Sequence, residues 1–141
     1  MFTNGVGVVL AGTLAEPVGM SIAWLTRVER EHVVLSLPEG ARGTARILSD
    51  GRFTLSLLAD SQEDVARWFG RSERTSARRE PPALVETAWG VVAVEGSLAV
   101  YLCTVVGMQG LGGQTVVTAR TEGPVQVEQG RPLVYRASDY S

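Results

Sequence analysis

Apolar residues recur along the chain in short runs: Val6 to Leu10, Met20 to Val28, His32 to Leu37, Phe53 to Leu58, Val91 to Val94, Leu98 to Val106, Thr115 to Ala119 and Leu133 to Tyr135. They are rich in Val and Leu, side chains that suit a pleated, half-buried surface, so each run predicts a β-strand. Gly12, Gly19, Gly40, Gly51, Gly96, the stretch Gly107 to Gly113 and Gly130 punctuate them. Strands this closely spaced, with turn residues between them, predict an antiparallel barrel or sandwich rather than alternating strand and helix units.

Two segments carry apolar residues at helical spacing instead. Thr44 to Leu48 ends at Ser49-Asp50-Gly51, a helix stop followed by a turn. Ser61-Gln62-Glu63-Asp64 offers a capping residue and then acids in the first turn. Val65, Trp68 and Phe69 supply its apolar stripe and Gly70 its stop, so this is the stronger helix. From Arg71 to Pro82 the chain is polar, with four Arg and a closing Pro-Pro, which predicts an exposed loop. No internal repeat is present.

Composition narrows the chemistry. With 141 residues the chain is expected to form a single domain, 1–141, able to bury a core without staples. The formal charge of -2 and the scattered basic residues give no nucleic-acid footprint. All 13 basic residues are Arg, so there is no lysine for Schiff-base chemistry. His32 is the single histidine and Cys103 the single cysteine, too few for a zinc site or a Cys-His nucleophile. The N-terminus lacks a signal-peptide pattern and no run reaches membrane-span length. A cytoplasmic protein without a membrane association is expected, and a lone cysteine inside a strand fits a reducing compartment as a buried apolar group.

Three segments could carry chemistry. Arg42-Gly43-Thr44 follows a strand and opens a helix, where free N–H groups and the helix dipole favour an anion. It reads either as a phosphate seat or as an ordinary helix start with a solvated Arg. Gly19 to Thr26 is a strand of small residues, open enough for a flat ring to lie against backbone, or else packed by Trp24 and Leu25. Gly107 to Gly113 lacks G-x-G-x-x-G spacing and is followed by a strand, so it predicts a flexible hairpin loop and not a dinucleotide site. The arginines of Arg71 to Glu80 read as a solvated loop or as partners for nucleotide phosphates, and His32 as an edge or dimer contact.

Taken in order, Gly19 to Thr26, Arg42-Gly43-Thr44, Gly51-Arg52-Phe53-Thr54-Leu55-Ser56-Leu57-Leu58, Asp60 to Asp64 and the tail Arg131-Pro132-Leu133-Val134-Tyr135-Arg136 resemble the flavin reductase family. The resemblance implies a mainly β fold, an antiparallel split β-barrel with a few short helices. It implies a cofactor set of Met20, Ser21, Ile22, Ala23 and Trp24 along the flavin ring, Ser36 and Leu37 at the end of the next strand, Arg42 and Thr44 at the phosphate, and Ser56 and Gln114 bordering the flavin. Ser56 stands where the family carries Asn, and Gly112-Gly113-Gln114 where it carries Gly-Asp-His. Gln can hydrogen-bond but cannot carry charge. The resemblance implies Gln114 or Tyr135 on the nicotinamide side.

The implied activity is NAD(P)H-dependent reduction of flavin by hydride transfer to FMN, with FAD as a possible alternative cofactor and no catalytic side chain. The implied partners are a second copy of the chain in a homodimer, the pyridine nucleotide, and a monooxygenase or other electron acceptor. The alternatives are an FMN-binding electron carrier without efficient NAD(P)H oxidation, and a barrel that has lost its cofactor.

Overall fold

The computed structural model describes residues 5–70 and 80–134. In chain order these form β1 (Gly7–Gly12), β2 (Pro17–Ile22), β3 (Leu25–Val28), β4 (His32–Pro38), α1 (Arg42–Asp50), β5 (Arg52–Leu57), α2 (Glu63–Trp68), β6 (Leu84–Glu86), β7 (Val92–Val94), β8 (Ala99–Leu111) and β9 (Gln114–Val127). One antiparallel sheet of seven strands runs β2-β1-β5-β8-β9-β4-β3, and β6 and β7 pair as a separate ribbon.

The order of the sheet dictates its shape. β2 and β3 are its two edges, yet only Ala23 and Trp24 lie between them in the chain. Laid flat, the strands would place those edges about 29 Å apart, at about 4.8 Å per interval. The link spans at most about 11 Å. The sheet therefore curls until its edges are neighbours, giving a barrel left unpaired along one seam.

Strand alternation fills the two sides of this curled sheet. Val9 and Ala11 of β1, Val33, Leu35 and Leu37 of β4, Phe53 and Leu55 of β5, Cys103 of β8, and Val117 and Ala119 of β9 form the interior with Ile22 and with Ile47 of α1. Val8 and Leu10 of β1 face outward and are covered by Val65 and Ala66 of α2 and by Val92 and Val94 of β7. β5 is thus buried on both faces. Its outward Thr54 Oγ1 donates to the Val92 carbonyl at 2.6 Å, and Ser56 Oγ accepts from the Val94 N–H at 3.0 Å. Leu133 closes this outer layer, its N–H donating to the Leu58 carbonyl at 2.9 Å and its carbonyl accepting from the Val6 N–H at 3.0 Å.

The structure redraws several boundaries. The expected strand Met20 to Val28 is two strands, because one straight segment cannot pair with both ends of the sheet. Gly107 to Gly113 is not a flexible loop: β8 continues to Leu111, and only Gly112 and Gly113 turn, with φ of 53° and 84°. Two successive positive φ values make the tight two-residue hairpin that matches strand twist. β9 likewise runs on to Val127, and β6 was not anticipated. α1 starts at Arg42, ahead of Thr44, and ends as expected at Gly51, whose φ is 71° and whose N–H donates to the Ile47 carbonyl. Ser61 does not cap the second helix. A 3-10 turn, Asp60–Gln62, leads into α2, and Gln62 Oε1 accepts from the Ala59 N–H at 2.9 Å. The loop arginines Arg71, Arg74, Arg78 and Arg79 and the tail from Tyr135 onward lie outside the described residues.

Cys103 sits in the barrel interior, and burial pushes its thiol from 9.0 to about 12. The folded protein thus keeps the thiol neutral where the unfolded chain ionises it. Its contribution to stability is complete below about pH 9 and falls away towards pH 12, by at most about 1.4 kcal/mol per pH unit. Urea midpoints measured from pH 7 to 10.5 should fall more steeply in the wild type than in Cys103→Ala. Parallel profiles would contradict this.

Candidate functional site

At the seam, three pieces of backbone are tied together. The Ser36 N–H on β4 donates to the Trp24 carbonyl in the β2–β3 link at 2.9 Å. Pro38, the last residue of β4, pairs with Gln114, the first of β9, and the Glu39 N–H donates to the Gly113 carbonyl at 3.0 Å. Ser36 Oγ donates to Gln114 Oε1 at 2.8 Å. The link, the end of β4 and the β8–β9 turn therefore form one fixed rim.

α1 begins on this rim. Its N-cap, Ala41, is extended at φ -71° and ψ 145° and has no side chain to offer, and the first turn contains no acid. A helix start leaves its leading N–H groups without intrahelical acceptors, here those of Arg42, Gly43 and Thr44, at the positive end of the dipole. The first backbone bond to close runs from the Ala45 N–H to the Ala41 carbonyl at 3.1 Å. Thr44 is buried, and its Oγ1 donates to the Pro38 carbonyl at 2.7 Å, which ties the helix to β4.

Met20 of β2 lies over this first turn. Its Sδ is 3.8 Å from Thr44 Oγ1. A Cβ built on Gly43 would fall 2.8–3.0 Å from Met20 Cγ, Cε and Sδ, so the glycine lets the strand and the helix start touch. Arg42 is exposed and has no ion-pair partner among the described residues, whereas Arg46 one turn later is bound to Asp50 at 2.8 Å.

The structure thus gathers Met20, Ile22, Ala23, Trp24, Ser36, Leu37, Arg42, Thr44 and Gln114 around one rim. Ile22 and Leu37 turn their side chains into the core and can offer a ligand only backbone. Trp24 is 59% exposed. Ser21 and Ser56 are placed differently. Both pair with Val8, in one row across β2, β1 and β5, on the outward face. The Ser21 hydroxyl donates to the Ala66 carbonyl at 2.6 Å and its N–H to the Phe69 carbonyl at 2.9 Å, so α2 covers the β2 edge. Ser56 is fully buried beneath β7.

Of the two readings of Gly19 to Thr26, an open face or a packed strand, the start of the segment is packed: a Cβ on Gly19 would lie 2.5 Å from Leu10 Cδ2 and 2.9 Å from the Phe69 ring. That glycine serves strand and helix packing. His32 pairs with Val28 and Arg120 at the far end of β4, about 13 Å along the strand from Ser36. Among the described residues no group of three His, Cys, Asp or Glu side chains could hold a metal ion. Pro38 was not anticipated, although a proline before Gly40-Ala41 is a signal that the strand ends there.

A family model described as the flavin reductase like domain matches residues 1–141. The chain belongs to this family. Among curated relatives, the reductase component of 4-hydroxyphenylacetate 3-monooxygenase from Thermus thermophilus is 31% identical over 142 residues, covering 99% of this chain and 88% of that one. The NADH-dependent flavin reductase from Rhodococcus sp is 31% identical over 110 residues, covering 77% and 58%. Among solved structures, the styrene monooxygenase flavin reductase from Pseudomonas putida S12 superposes with a TM-score of 0.83 at 29% identity, covering 98% of this chain and 89% of that one. The family's barrel is the curled sheet described above.

Proposed function

We propose that this protein is an NAD(P)H-dependent flavin reductase that seats FMN between the first turn of α1 and the β2–β3 link and passes reduced flavin to a monooxygenase or another acceptor. The observation that carries this reading is the uncapped start of α1, with Arg42 unpaired among the described residues and Met20 laid across Gly43. Free N–H groups and a guanidinium suit a phosphate, and the adjoining sulfur and indole suit a flat ring. The fit of the residues to a flavin mononucleotide is therefore good at both ends.

When bound, the isoalloxazine supplies the hydride-accepting centre, so the chain needs no acid or base of its own. Arg42 and the leading N–H groups of α1 neutralise the phosphate. Met20 and Trp24 flank the ring, and Gln114 borders the nicotinamide side. The relatives whose names specify an NADH-dependent flavin reductase and monooxygenase reductase components support NADH as the donor and a monooxygenase as the acceptor. A flavin-binding electron carrier is the second reading, favoured by Gln114 standing where the family pattern has a histidine. No helix among the described residues is long and apolar enough to cross a membrane.

A second copy of the chain is the proposed structural partner. Val106, Met108, Leu111, Val125 and Val127, all on the β8–β9 ribbon, are at least half exposed, with Val127 at 66%. Apolar side chains concentrated on one ribbon mark an interaction surface. Sedimentation should give a dimer for the wild type and a monomer for a variant carrying both Met108→Glu and Leu111→Glu. A wild-type monomer would refute the pairing.

Purified protein mixed with excess FMN should oxidise NADH or NADPH catalytically. FMN binding without turnover would establish the carrier instead, and no binding would refute both readings. Parallel titration with FMN and FAD decides the cofactor. Arg42→Ala should weaken FMN binding by about 1.5–3 kcal/mol, the loss of one charge-assisted contact. Unchanged affinity would remove Arg42 from the phosphate seat.

A further inference from the structure

Gln114 is held more tightly than a surface glutamine at the start of a strand. Its backbone follows the Gly112-Gly113 turn and pairs with Pro38, and the adjacent Gly113 carbonyl accepts from the Glu39 N–H. Its side-chain oxygen accepts the Ser36 hydroxyl at 2.8 Å. Ser36 is itself pinned, because its N–H donates to the Trp24 carbonyl at 2.9 Å. The Gln114 amide nitrogen makes no hydrogen bond among the described residues, and the side chain is only partly buried. The carboxamide is therefore oriented, with its acceptor committed and both N–H donors left over beside the rim.

We infer that Ser36 is a positioning residue that fixes the Gln114 carboxamide so that its N–H group donates to a ring or carboxamide carbonyl of the bound ligands. This rests on the flavin reductase reading. A carbonyl of that kind is present both on the pyrimidine edge of a flavin and on the nicotinamide carboxamide. A neutral donor fits either, and it discriminates against a group that presents only donors or a carboxylate in its place.

The test is Gln114→Glu, which keeps the shape but replaces the donor with an acceptor, alongside Ser36→Ala and Ser36→Thr, each assayed for flavin affinity by fluorescence titration and for NADH turnover. Gln114→Glu should raise either the flavin Kd or the NADH KM at least tenfold, the first result assigning the donor to the flavin and the second to the nicotinamide. Ser36→Ala should raise the same constant severalfold, and Ser36→Thr, which keeps the hydroxyl, should restore it. A merely structural role would not separate one constant from the other or respond to the hydroxyl. If Gln114→Glu and Ser36→Ala leave both constants at wild-type values, the inference is wrong while the reductase reading stands. If the wild type itself neither binds flavin nor oxidises NADH, the reductase reading falls and this inference with it.

Discussion

The two-residue link between β2 and β3 is the constraint on which the rest of the structure depends. Ala23 and Trp24 join strands that occupy opposite edges of a seven-stranded sheet. No flat arrangement satisfies that connection, so the sheet must wrap, and wrapping creates both the enclosed apolar interior and the seam. Edge strands with open N–H and C=O groups invite pairing with other chains. Here the β2 edge is covered by the end of α2 through the Ser21 N–H, and the link itself is held by the Ser36 N–H.

The seam is also where backbone donors are left without intrahelical acceptors. At the seam, the end of β4 turns into a helix whose first turn is uncapped, and the tie from Thr44 Oγ1 to the Pro38 carbonyl keeps that helix start against the barrel. Glycine at position 43 lets Met20 cover the turn from the β2 side. The uncapped end of the helix and the apolar surface beside it therefore come from one packing event.

Much of the fold was legible because strand alternation and glycine punctuation are local signals. The division of β5 into inward Phe53 and Leu55 and outward Thr54 and Ser56 follows from its period of two. What covers the outward face was not legible, since β6 and β7 reach it from about forty residues away in sequence. The same limit left the two readings of Gly19 undecided, because its neighbour Phe69 is brought by α2. The helix start at Arg42 to Thr44 was legible from a strand, a turn and a helix in sequence, whereas the contact between Ser36 and Gln114 depends on the pairing of β4 with β9 and is invisible locally.

The polar groups of the molecule divide by what they face. Thr54, Ser56 and Ser21 are directed at backbone groups of the outer layer, and each hydroxyl there satisfies a donor or acceptor that burial would otherwise strand. No buried side-chain nitrogen or oxygen among the described residues lacks a partner. The leading N–H donors of α1, the guanidinium of Arg42 and the amide of Gln114 lie at the seam. They are all donors. A ligand rich in phosphate and carbonyl oxygens is the complement of such a set. Imidazole chemistry plays no part there, because the chain's single histidine, His32, sits at the other end of β4.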